Sequence, residues 1–123
     1  MEFALSEDQR LLQDSLKGVL ANAASLDQVR KIAVGDAAAT GALEAALADF
    51  GLASLLVPES AGGLGLGILD ACLVQEQLGY HIAPSRFLSS AVAVSMLPHS
   101  PSVQAQIAAG QAKFGLALTE LFS

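Results

Sequence analysis

The chain has 123 residues, enough for one domain of ordinary size, and 53% of them are hydrophobic, so a core can be buried. A net charge of −6 with only six Lys and Arg argues against a nucleic-acid partner, because neutralising phosphates needs clustered cations, and here only Arg30 and Lys31 are adjacent. The single cysteine, Cys72, excludes an internal disulfide.

The first helix is expected to start at Ser6. Gln9 follows three residues later in a capping-box arrangement, and Glu7 and Asp8 lie at the positive end of the helix dipole. Leu5 stands where it can staple onto the first turn. Leu12, Leu16, Val19, Leu20 and Ala23 then share one face. A short helical stretch is expected over residues 26–32, with residues 35–39 as a connector. Thr40 is the expected cap of a further helix presenting Leu43, Ala46, Leu47 and Phe50, with Gly51 ending it in the left-handed conformation. Pro58 blocks helix continuation and biases Val57 toward extended backbone. Residues 60–67, with four glycines, read as a loop with unusual backbone angles.

A long helix is expected over residues 68–80, with Leu69, Cys72, Leu73, Glu76 and Tyr80 along one stripe and Cys72 as a small buried hydrophobe. Pro84 can open the next helix, residues 85–97. It is apolar on almost every side, the pattern of a central helix. Pro98 ends it. Ser100 and Pro101, cap and first position, open a short helix that closes at Gly110.

The pattern then changes. Residues 113–120 alternate with period two, as a strand does, with Phe114, Leu116 and Leu118 on one side and Gly115, Ala117 and Thr119 on the other. A lone strand leaves backbone groups unpaired along both edges, and no other segment reads as a strand. The expected fold is therefore all-α, an orthogonal bundle of about five to six helices, with one terminal β-strand belonging to a domain outside this sequence. Residues 1–110 form the helical domain and residues 111–123 begin the β-domain.

Weak motifs keep their plain readings. Gly63 and Gly65 begin a G-x-G-x-x-G pattern, but its third position is Ile68. Starting at Gly65 and Gly67 puts Asp70 there, an acid that repels phosphate. A tight turn is the better reading of the glycines. His81 and His99 lack a second ligand at metal spacing, so surface or capping roles are expected. Glu76, on an apolar stripe, is expected to be paired or partly exposed. No cationic neighbours activate Cys72 as a nucleophile. The amino terminus lacks a basic stretch before an apolar run, and no apolar run reaches ~18 residues, so a cytoplasmic protein is expected. The low charged fraction, 15%, fits either surfaces covered by something else or simply an alanine-rich composition.

Several segments in order resemble one family. The opening Phe3-Ala4-Leu5-Ser6-Glu7-Asp8-Gln9-Arg10-Leu11-Leu12 is similar to the start of acyl-CoA dehydrogenases. So are Gly51-Leu52-Ala53-Ser54-Leu55-Leu56-Val57-Pro58-Glu59 running into Gly62-Gly63-Leu64-Gly65, and Gln75-Glu76-Gln77-Leu78-Gly79 followed by Pro84. Ala109-Gly110-Gln111 leading to Leu116-Ala117-Leu118-Thr119-Glu120 resembles the entry to the family's flavin-binding β-domain.

The resemblance implies a parent protein that uses FAD to dehydrogenate an acyl-CoA thioester between its α and β carbons. A carboxylate in a carboxy-terminal helical domain takes the α-proton, and hydride passes to the flavin. It also implies an electron-transfer acceptor and a homo- or hetero-tetramer. Carried onto this chain, it makes Leu116, Leu118 and Thr119 the flavin-facing residues and Arg86, Phe87, Ser90 and Val94 candidates for the wall of the acyl-tail pocket. It assigns no catalytic or metal residue here, so the chain alone is expected to be inactive. Ordinary core packing is the competing reading of the four pocket candidates. Leu121-Phe122-Ser123 departs from the usual Thr-Glu-Pro continuation, as in divergent bacterial members. The alternative is a non-catalytic helical subunit or interaction module that completes a partner flavoprotein.

Overall fold

The structure is a computed structural model that describes residues 3–117. It is all-helical. Its helices are α1 (Glu7–Ala23), α2 (Leu26–Ala33), α3 (Ala37–Asp49), α4 (Ile68–Tyr80), α5 (Phe87–Met96) and α6 (Pro101–Ala108). Two short 3-10 turns, Leu52–Ser54 and Glu59–Ala61, interrupt the run between α3 and α4. The described residues divide into two compact units. The first holds residues up to Leu52 and from Gly67 to Ser85; the second holds Ala53 to Leu66 and everything from Arg86 onward.

In the first unit α1 packs against α4 and α3, and α2 packs against α3. Ser6 starts α1 as its spacing predicts: the Gln9 amide donates to Ser6 Oγ at 3.1 Å, and the Ser6 amide donates to Gln9 Oε1 at 3.1 Å. Leu16 and Leu20, one helical turn apart, are fully buried, each stabilising by ~1.5–3 kcal/mol on transfer alone. Two polar pairs line the seam with α4. Gln9 Nε2 donates to Asp70 Oδ1 and Gln13 Nε2 donates to Glu76 Oε2, both at 3.3 Å. Both partners advance along their helices in the same direction, so α1 and α4 run parallel.

Two expectations in this unit are corrected. Asp36, not Thr40, caps α3, so that helix begins inside the expected connector. The Asp36 carboxylate accepts from the amides of Ala38 and Ala39 at 2.9 and 3.0 Å, while the Thr40 hydroxyl donates to the Asp36 carbonyl at 2.8 Å. An ionised acceptor serving two amides outweighs one neutral hydroxyl. The buried stripe of α4 is Ala71, Leu73, Val74 and Leu78. Of the expected stripe only Leu73 is buried; Leu69, Cys72, Glu76 and Tyr80 are exposed. Apolar residues stand on several faces of α4, so spacing alone did not select the one that packs.

The second unit is built on the glycine loop. The amides of Leu64, Gly65 and Leu66 donate back to the carbonyls of Ser54, Val57 and Leu55 at 2.8–2.9 Å. Its core joins Val57, Ala93, Val94 and Ile107, with Leu56, Ala61, Val103, Ala108, Ala112 and Phe114 packed around them. Pro101 occupies the first turn of α6, as predicted, although Ser100 contributes no side-chain cap. Buried Gln104 donates through Nε2 to the Leu97 carbonyl at 3.2 Å, tying α6 to the end of α5.

α5 is shorter than expected and is not apolar-buried all round. Phe87, Ser90, Ala93 and Val94 face inward, while Leu88 and Met96 are exposed. The expected strand has no ladder among the described residues. Residues 111–117 form neither helix nor sheet, because no described segment supplies a partner strand. The remainder of that strand, including Leu118 and Thr119, lies outside the described residues.

Candidate functional site

Three features of the chain bear on chemistry: the glycine loop, the amino-terminal end of α4, and α5. The loop does not cradle an anion. The amides of residues 62–66 all donate to nearby backbone carbonyls, and the Gly67 amide donates to Asp70 Oδ2 at 2.8 Å. Asp70 therefore holds its own carboxylate at the amino-terminal end of α4, where a phosphate would have to sit. Gly63 is needed for a different reason. An added Cβ would collide with the carbonyl oxygen and Cβ of Val57. The tight-turn reading of the glycines is correct.

The histidines behave as expected of isolated ones. His81 caps α4, with Nδ1 at 2.9 Å from the Gln77 carbonyl, so that nitrogen carries the proton. Its ring meets Tyr80 edge-on at 5.2 Å between centroids. His99 is exposed. No group of three or more His, Cys, Asp or Glu capable of holding a metal ion occurs among the described residues.

α5 carries the four acyl-pocket candidates. Phe87, Ser90 and Val94 lie on one buried stripe at helical spacing, and Arg86 is exposed at the amino-terminal cap. Val94 belongs to the core of the second unit. On the other side of α5, Leu88, half-buried Val92 and Met96 follow one another at four-residue steps, and Leu88 and Met96 are 53% and 73% exposed. This open apolar stripe is what the sequence reading missed. Its spacing was present, but a helix apolar on nearly every face does not show which face stays open.

The flavin-facing candidates are less developed. Leu116 is 37% exposed in the irregular segment 111–117. That segment connects to α5 through Phe114, which packs on the cluster containing Val94. Leu118 and Thr119 lie outside the described residues. Lys113, Gly115, Leu116 and Ala117 are all exposed.

The sequence matches the family described as acyl-CoA dehydrogenase, N-terminal domain, over residues 6–112, and the chain belongs to that family. That span contains α1 to α6 and the glycine loop in order. Among curated relatives, the acyl-CoA dehydrogenase FadE34 of Mycobacterium tuberculosis is 31% identical over 101 residues, which is 82% of this chain and 14% of the relative. The benzylmalonyl-CoA dehydrogenase of Aromatoleum aromaticum is 32% identical over 102 residues, 79% of this chain and 24% of the relative. The chain thus spans about a quarter or less of the length of these relatives. No solved structure matches the chain. No helix among the described residues is long and apolar enough to cross a membrane.

Proposed function

We propose that this chain is the amino-terminal helical part of an FAD-dependent acyl-CoA dehydrogenase and that dehydrogenation requires residues beyond these 123. The observation that carries the reading is the family match, which runs through every helix among the described residues. One relative is an acyl-CoA dehydrogenase and the other a benzylmalonyl-CoA dehydrogenase by name, and each is several times longer than the matched segment.

In this reading α5 forms one wall of the acyl-tail pocket. Arg86 stands at its entrance, and Phe87, Ser90 and Val94 set the helix position from the buried side. The open stripe of Leu88, Val92 and Met96 supplies apolar surface for the acyl chain. Residues 111–119 lead toward the flavin, with Leu116, Leu118 and Thr119 as its contacts from this chain. Residues 1–110 then constitute the helical domain and residues 111–123 the entry to a β-domain. The acyl-CoA substrate, an electron-transfer acceptor and a tetrameric assembly belong to the larger protein.

An acyl-CoA dehydrogenation assay with an artificial electron acceptor tests this. The purified 123-residue chain, supplied with FAD, should show no turnover on short, long or aromatic acyl-CoA esters. The native gene product should turn over at least one class. Turnover by the chain alone would overturn the assignment of catalysis to other residues. The second reading, a helical subunit completing a partner flavoprotein, is favoured if the 123-residue chain restores activity to a separately encoded flavoprotein that co-purifies with it.

A further inference from the structure

Three helices of this chain close in the same way. After α2 and α6, the amide of the left-handed residue donates to the carbonyl three residues back, and the next amide donates five back. These pairs are Gly35 to Ile32 with Asp36 to Lys31, and Gly110 to Ile107 with Gln111 to Gln106. α4 closes identically, Ile82 to Gly79 at 3.0 Å and Ala83 to Leu78 at 2.9 Å. The left-handed residue is glycine in the first two and isoleucine in α4, with φ +53°. Ile82 is the one non-glycine residue with positive φ among the described residues.

A β-branched side chain in that conformation places Cβ against the following carbonyl, and glycine avoids the strain altogether. Burial of the Ile82 side chain does not repay it, because Ile82 is 62% exposed and Tyr80 beside it is 79% exposed. What holds the turn is backbone bonding and the cap from His81, whose amide and ring nitrogen both donate to the Gln77 carbonyl. Pro84, two residues on, has no amide with which to extend the bonding.

We propose that the carboxy-terminal turn of α4 is a built-in weak joint, strained at Ile82, that opens locally while the rest of α4 stays folded. The packed residues of the helix, Ala71, Leu73, Val74 and Leu78, all precede the strained position. Opening therefore breaks the bonds of Ile82 and Ala83 without exposing buried side chains.

Amide hydrogen exchange on the full chain, resolved by residue, tests the joint. In the wild type, Ile82 and Ala83 should exchange much faster than Val74 and Leu78. Ile82→Gly should slow exchange at Ala83 by about tenfold. Ile82→Asn, which keeps a side chain yet tolerates the left-handed region, should slow it less, and exchange at Val74 should be unchanged in both. Equal or faster exchange at Ala83 in Ile82→Asn would overturn the proposal. So would an amide-to-α-proton coupling showing negative φ at Ile82 in the wild type.

Discussion

At Gly63 an added methyl group would run into the carbonyl oxygen of Val57, the same oxygen that accepts from the Gly65 amide. Backbone cannot give way as a flexible side chain can. Gly63→Ala should therefore lower stability by ~2–3 kcal/mol, read as a lower urea midpoint at constant slope. At Ser6 the loss should be smaller. Ser6→Ala removes one half of a reciprocal cap, ~1 kcal/mol, seen as a lower Tm. Both positions show what single residues make legible. The Ser6 cap was readable because it depends only on a three-residue spacing. The Gly63 requirement was not, because it arises from contact with Val57 across a folded loop. Asp36 and Thr40 fall between the two: either residue type caps helices, and only the structure shows two amides converging on the Asp36 carboxylate.

Among the elements, α4 separates pattern from packing. Its boundaries, Ile68–Tyr80, follow from the glycine before it and the Gly79–Pro84 region after it, and they were legible. Its buried face was not, because Ile68, Leu69, Cys72 and Tyr80 are as apolar as the residues that pack. A paired substitution checks the corrected face. Leu73→Ala should cost ~2–4 kcal/mol and Leu69→Ala less than ~1 kcal/mol in denaturant unfolding. In α2 the Asp27–Lys31 pair, 2.9 Å apart at a four-residue step, is exposed. The hydrogen bond from Lys31, and then its charge, hold the Asp27 carboxyl below its ordinary value; the same bond and charge from Asp27 raise Lys31. The Asp27 contribution is present above the ordinary carboxylate value and is lost as pH falls through the lowered one. The Lys31 contribution is present below the ordinary lysine value and is lost as pH rises through the raised one. Helicity of α2 should thus fall slightly at both extremes, and added salt should remove the dependence. Circular dichroism of wild type against Asp27→Asn reads the difference.

On the scale of the whole molecule, the family and the all-α fold were legible, because ordered short motifs along the entire chain add up where each alone is weak. The expected terminal strand was not legible in the same way. A strand is defined by its partner, and residues 111–117 meet none among the described residues. Exposed Leu88 and Met96 on α5 carry the corresponding prediction for the site. Leu88→Glu or Met96→Glu should leave the unfolding midpoint of the 123-residue chain within ~0.5 kcal/mol of wild type, as for exposed sites. In the native gene product the same changes should raise KM for long-chain acyl-CoA far more than for short-chain esters. The most direct test of the central claim is the intact mass and visible absorption spectrum of the protein purified from its natural source. The account predicts a polypeptide several times longer than 123 residues that carries a flavin absorption band bleached by an acyl-CoA substrate. A colourless 123-residue protein, purifying without any flavoprotein partner, would contradict it.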